Sequence, residues 1–332
     1  MKLKELKGVY PALITPFKKN GEIDEEGFRR NIDFVIEGGV SGIVPCGCTG
    51  EAATLNFDEQ RRLLEIAVDQ VDNSKRKVPV IGGSGSNNTK EAIELTRFAQ
   101  DAGASGAMLI TPYYNKPVDA GQIQHYKAIA EKVDIPIILY NVPSRTGINM
   151  KPSVVAELAK IDNITGIKEA SGSLAQVGEI IELTRDYKKK FTVLSGDDNL
   201  TIPMMSLGAQ GVVSVAANIL PKMVSDMVKY QSEGNSKKAL DLYFKLSPIM
   251  RGLFYETNPI PVKSAANMMG LAAGGLRLPL TEMAPENQKK IESMLDTLGV
   301  LNAKAVKKAP ANAPVKVAVK APAKKAPVKA RK

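Results

Sequence analysis

Ile135-Pro-Ile-Ile-Leu-Tyr-Asn-Val-Pro-Ser-Arg-Thr-Gly147, followed after a helix-like interval by Ile164-Thr-Gly-Ile-Lys-Glu-Ala-Ser-Gly172, is the stretch on which the reading of this chain turns. Both ends are short apolar runs rich in β-branched residues and bounded by Pro, Asn and Gly, the pattern of buried strands. Between them, Lys151 to Lys160 carries Val154, Val155, Leu158 and Ala159 at helical spacing, so the unit reads as β-α-β. Such a crossover makes the two strands parallel, with their C-terminal ends on the same side. Tyr140 and Lys168 end their strands and are therefore expected to project from one face. A lysine at the mouth of an apolar layer loses hydration, its pKa falls, and a neutral nucleophilic amine becomes accessible. A phenol beside it can pass protons while that amine attacks a carbonyl. Alone, a strand-end lysine is ordinarily solvated and a tyrosine ordinarily packs. Their pairing, with Gly- and Pro-rich loops after each strand, points to carbonyl chemistry.

The same alternation runs outward in both directions. Strands are expected at Val9 to Ile14, Ile43-Val44, Val78 to Ile81, Met108 to Ile110, Phe191 to Leu194 and Val212 to Val215, besides the central pair. Asp24 is a helix cap before Phe28, Ile32 and Val35, and both Asn56/Glu59 and Asn88/Glu91 have capping-box spacing. Further helices are expected near Ala175 to Arg185 and Leu200 to Ser206, and from Pro221 to about Leu298. Eight strand-helix units predict a (β/α)8 barrel with additional C-terminal helices, since no G-x-G-x-x-G follows the first strand to favour an open doubly wound sheet. The expected division is a barrel over 1–220, a helical region over 221–302 and a tail over 303–332.

The tail carries the charge. The chain has 45 Lys and Arg against 35 Asp and Glu, a net charge of +10 over 332 residues. Residues 303–332 hold ten of the basic groups and no acid, so the other 302 residues balance. This Ala/Lys/Pro/Val segment has no aromatic residue and is expected to be disordered, with non-specific polyanion binding as its one readable property. No apolar run reaches membrane-span length and the start lacks an apolar signal core, so a cytoplasmic protein without a membrane partner is expected. Cys46 and Cys48, separated by one glycine, make a poor disulfide and too few ligands for zinc. His125 is the single histidine, which argues against serine-histidine hydrolases, H-E-x-x-H metalloenzymes and zinc aldolases. His125 itself lies in a helical pattern and reads as structural or exposed. Carbonyl chemistry here needs lysine rather than a metal.

In a barrel the site is built by the loops after the strands. Gly47-Cys-Thr-Gly-Glu51 can offer backbone N–H groups and the Thr49 hydroxyl to an anion, a carboxylate rather than a phosphate because no P-loop lysine follows, or can be a plain turn. Arg145 can take a second carboxylate, or form a salt bridge between loops. Tyr113 and Tyr114 can line the pocket or pack against a partner subunit.

Taken as a set, G-C-T-G-E, T-P-Y-Y-N, Y-N-V-P-S-R-T-G, G-I-K-E-A-S-G, S-G-D-D and N-P-I-P-V-K resemble the dihydrodipicolinate synthase family of pyruvate-dependent class I aldolases, from about Leu6 to Val300. The resemblance implies condensation of pyruvate with L-aspartate 4-semialdehyde. It makes Lys168 the Schiff-base lysine and Tyr140 the proton donor and acceptor. Thr49, Val213 and Gly196 become positions around pyruvate, and Arg145 the holder of the semialdehyde carboxylate. It also implies a homotetramer, a dimer of dimers in which Tyr114 is lent across an interface to complete a proton relay. Cys48 departs from the family's threonine in that relay, and a thiol is a weaker donor and acceptor than a hydroxyl. Ala53, Asn87, Glu91 and Tyr113 match lysine-binding positions of feedback-inhibited members, whereas Phe57 and Gln60 stand where such members often carry other residues. A sibling aldolase acting on 2-keto-3-deoxy sugar acids or N-acetylneuraminate is the alternative.

Overall fold

A computed structural model describes Leu3 and residues 5–301; the proposed tail over 303–332 lies outside these. The N-terminal part runs β1 (Gly8–Pro11), α1 (Glu25–Glu37), α2 (Phe57–Asn73), β2 (Ile81–Gly83), α3 (Thr89–Asp101), β3 (Gly106–Ile110) and α4 (Asp119–Ala130). The middle runs β4 (Ile137–Asn141), α5 (Pro143–Thr146), α6 (Pro152–Leu158), β5 (Ile164–Glu169), α7 (Leu174–Thr184), β6 (Thr192–Ser195), α8 (Thr201–Ser206) and β7 (Gly211–Ser214). The last helices are α9 (Pro221–Ser232), α10 (Ser236–Gly252), α11 (Ile260–Met268) and α12 (Pro285–Thr297).

The seven strands form one parallel sheet in the order β1-β7-β6-β5-β4-β3-β2. The strand expected at Ile43-Val44 is present as isolated parallel bridges, Ala12 to Val44 on one side and Ile43 to Val80 on the other. Its backbone nonetheless bonds both edges: Val44 N–H donates to Pro11 O, and Ile43 N–H donates to Pro79 O, at 2.9 and 3.0 Å. Pro11, Pro45 and Pro79 have no N–H to give, which thins the ladder at this seam. For the same reason β1 and β2 are shorter or later than the expected Val9 to Ile14 and Val78 to Ile81.

Alternation along the strands sorts the side chains. Ile137, Leu139 and Ile167 pack on the helices, whereas Ile138, Tyr140, Met108, Leu194 and Val213 share a separate buried cluster on the opposite face. Helix starts follow the sequence signals. Asp24 accepts from Gly27 N–H, and Asn56 with Glu59 forms a reciprocal capping box. Asn88 caps α3 by accepting from Lys90 N–H, but Glu91 bonds the Asn88 and Ser86 side chains instead of closing a box. The helical reading after Pro221 is met by α9 to α12. Among the described residues no helix is long and apolar enough to cross a membrane.

Candidate active site

β4 and β5 pair in parallel with Tyr140 opposite Lys168, so the two side chains leave the sheet together as the β-α-β reading requires. Each residue exposes 6% of its surface, and Lys168 Nζ lies 4.0 Å from the centroid of the Tyr140 ring. Burial pulls the Lys168 pKa from 10.5 down to about 8; neighbouring Cys48 and Asp198 oppose the fall and Arg145 adds to it. Burial also holds the Tyr140 phenol well above its ordinary value, with the neighbouring Cys48 thiol pushing the same way and Arg145 opposing. At mild pH the amine is thus close to losing its proton while the phenol keeps its own. That is the protonation state in which an amine attacks and a phenol donates.

The flanking loops supply the rest. Cys48 is a free, half-buried thiol packed against the cluster that holds Tyr140. Thr49 follows in a tight turn, where Gly50 N–H donates to Gly47 O at 3.0 Å and Glu51 sits at φ +57°. Val213 is buried on β7, in register with Tyr10. Gly196 N–H donates to Glu169 O at 2.8 Å; a Cβ on Gly196 would lie 2.6 Å from Ala170 Cβ and 3.2 Å from Lys168 Cε. Glycine at 196 therefore keeps space beside the lysine. Arg145 lies on the one-turn helix α5 rather than a plain loop, is exposed, and donates through Nη2 to Asn258 O at 2.9 Å.

Tyr114 is not brought to this cluster by its own chain. It is 90% exposed at φ +70°, on a loop pinned by Asn115 Nδ2 donating to Asn87 O and Asn87 Nδ2 donating to Tyr113 O. His125 is buried on α4, with Nδ1 2.9 Å from Thr89 Oγ1, which makes it a structural residue. Among the described residues no three of His, Cys, Asp and Glu are grouped as metal ligands.

Three polar residues in or beside this cluster had no assigned part from sequence. Asp198 is buried and accepts from Ser214 Oγ at 2.5 Å and from Val215 and Ala216 N–H at 2.9 Å each, tying the end of β6 to the loop after β7. Asn258 donates through Nδ2 to Thr49 Oγ1 at 2.9 Å. Lys263 forms a wholly buried ion pair with Glu51. All three lie in the quoted S-G-D-D and N-P-I-P-V-K motifs, which were the only signal that could have marked them.

Residues 5–298 match the family model described as the Dihydrodipicolinate synthetase family. The chain belongs to that family. Among its relatives, the 4-hydroxy-tetrahydrodipicolinate synthase of Methanothrix thermoacetophila is 55% identical over 295 residues, 89% of this chain and 98% of the relative. The enzyme of the same name from Methanocaldococcus jannaschii is 52% identical over 296 residues, covering 89% and 99%. Two family structures share the fold closely. The dihydrodipicolinate synthase of Thermotoga maritima has a TM-score of 0.86 at 40% identity, covering 89% of this chain and 99% of its own. The chloride-inhibited enzyme of Acinetobacter baumannii, complexed with pyruvate, also has a TM-score of 0.86 at 40% identity, covering 90% and 100%.

Proposed function

We propose that this chain is a lyase that condenses pyruvate with L-aspartate 4-semialdehyde through a Schiff base on Lys168, the 4-hydroxy-tetrahydrodipicolinate synthase reaction for which its relatives are named. The observation that carries the reading is the buried Lys168 amine, lowered to about 8 and standing in register with Tyr140. The neutral amine adds to the keto carbon of pyruvate, Tyr140 relays protons, and water leaves to give a protonated imine. That imine is the electron sink, so the methyl carbon loses a proton and the resulting enamine attacks the aldehyde. The amino group of the second substrate then displaces Lys168 and closes the ring. Thr49, Val213 and Gly196 surround the pyruvate carboxylate, while Arg145 at the exposed rim takes the carboxylate of the semialdehyde.

The finer architecture belongs to the same reading. The bridges of Ile43-Val44 to both edge strands support a closed (β/α)8 barrel over 1–220, with α9 to α12 as an appended region over 221–302. The exposed Tyr114 supports an assembly that lends it to a neighbouring subunit, as a dimer of dimers would, with Cys48 as the intervening group. A cytoplasmic setting suits two cysteines that persist as thiols.

The test is reduction with borohydride in the presence of pyruvate, followed by peptide mapping. One pyruvate-derived adduct on Lys168 is expected; an adduct on another lysine, or none, overturns the assignment. Arg145→Ala tests the second substrate. It should lower kcat/KM for the semialdehyde by about 10- to 100-fold, the worth of hydrogen bonds to a charged group. Trapping of pyruvate should survive. A variant that condenses the semialdehyde as well as wild type would leave Arg145 with only its contact to Asn258 O.

A further inference from the structure

Asn258 touches both groups assigned to carboxylate recognition. Its side chain donates to Thr49 Oγ1 at 2.9 Å, across 209 residues of sequence, and its main-chain oxygen accepts from Arg145 Nη2 at 2.9 Å. The residue is 5% exposed and immediately precedes Pro259 and α11. We infer that Asn258 is a positioning residue that turns the Thr49 hydroxyl proton toward pyruvate while its backbone holds Arg145 at the rim. This inference rests on the Schiff-base reading above.

The argument is one of proton placement. A threonine hydroxyl has a single proton and two acceptor positions. When Thr49 Oγ1 accepts from the Asn258 amide, its own proton is left for another acceptor, and an ionised carboxylate can only accept. Were the amide reversed, its oxygen would take the Thr49 proton and make the hydroxyl useless as a donor to pyruvate. Reversal would also leave the Nδ2 donors buried, whereas in the observed orientation the atom without a partner among the described residues is Oδ1, the acceptor. Under-satisfied carbonyl oxygens are tolerated more often than orphaned N–H groups. The contact to Arg145 acts differently. It uses the main chain, so it depends on where Asn258 sits rather than on its side chain, and it leaves the other guanidinium donors free.

Side-chain substitutions should therefore separate the two substrates. Asn258→Asp keeps the shape but replaces the donor with an acceptor, which draws the Thr49 proton away from pyruvate. The KM for pyruvate should rise about tenfold or more, and borohydride trapping should need correspondingly more pyruvate. The KM for the semialdehyde should change by less than about threefold, because the contact to Arg145 remains. Asn258→Ala should show the same asymmetry, and serves alone if the aspartate variant does not fold. In a Thr49→Val background, Asn258→Ala should add little, since the hydroxyl through which it acts is gone. An aspartate variant with a wild-type pyruvate KM, equal losses for both substrates, or additive losses in the double variant would each overturn the inference. Wild-type protein that traps no pyruvate would instead overturn the Schiff-base reading beneath it.

Discussion

Lys168→Met is expected to abolish borohydride trapping of pyruvate and lower kcat by on the order of 10⁴-fold or more, the scale on which a covalent nucleophile is missed. The same change should make the protein more stable at neutral pH. Lys168 is buried, and burial holds its pKa near 8 rather than 10.5. Between those two values the unfolded chain binds the proton more often than the folded one, so the wild-type protein gains stability as pH rises through that window. Below about pH 8 the folded protein carries the full cost of a buried ammonium. Methionine removes that cost and fits the same apolar surroundings. The melting temperature of the variant should therefore exceed that of wild type at pH 7, and the difference should vanish as the pH approaches 10.5. In the wild type, kcat/KM for pyruvate should rise through about pH 8 as the amine loses its proton. A variant that is no more stable than wild type at pH 7 would mean that the amine is not held under this penalty.

Lys263→Met is expected to cost about 3–5 kcal/mol, the usual loss when one member of a buried ion pair is removed. Lys263 and Glu51 expose 1% and 0% of their side chains and meet at 2.7 Å. Lys263 Nζ also donates to Thr15 O at 2.9 Å, and Arg277 N–H donates to the second Glu51 oxygen at 3.1 Å. The Phe17 ring centroid lies 4.4 Å from Lys263 Nζ and 4.3 Å from Arg277 Cζ, so both cations meet one aromatic ring. Removing the ammonium leaves the buried Glu51 carboxyl without its ion-pair partner, at a residue held at φ +57° in the turn that carries Cys48 and Thr49. Adding Glu51→Gln to Lys263→Met should recover part of the loss, because the uncompensated charge is then gone. Denaturant titration of the three proteins is the check. A single-variant loss under about 1 kcal/mol would show that water already solvates the pair.

The two residues of these predictions differ in how far the sequence exposes them. Lys168 was legible because its cause is local: an apolar β-branched run ends at it, a second run ends at Tyr140, and the helical interval between them makes the strands parallel. Cap signals at Asp24 and Asn56 were legible for the same reason, each depending on residues three apart. At Ile43-Val44 the apolar pattern located the segment but overstated its ladder, because the prolines that thin it lie on neighbouring strands as well as its own.

What the sequence by itself determined was the alternation of strands and helices, the pairing of Tyr140 with Lys168, and the polar loops that gather around them, because these follow from periodicity and chain geometry over short distances. Only the tertiary structure decided that Asn258 donates to Thr49 and steadies Arg145, that Lys263 neutralises Glu51, and that Tyr114 stands exposed away from its own site. The Asn258–Thr49 and Lys263–Glu51 contacts join residues 209 and 212 positions apart. No local pattern encodes which amide will face which hydroxyl across that distance. Burial, which sets the pKa of Lys168 and the cost of breaking the Glu51 pair, likewise exists only once the sheet has curled and α11 has packed over its loops.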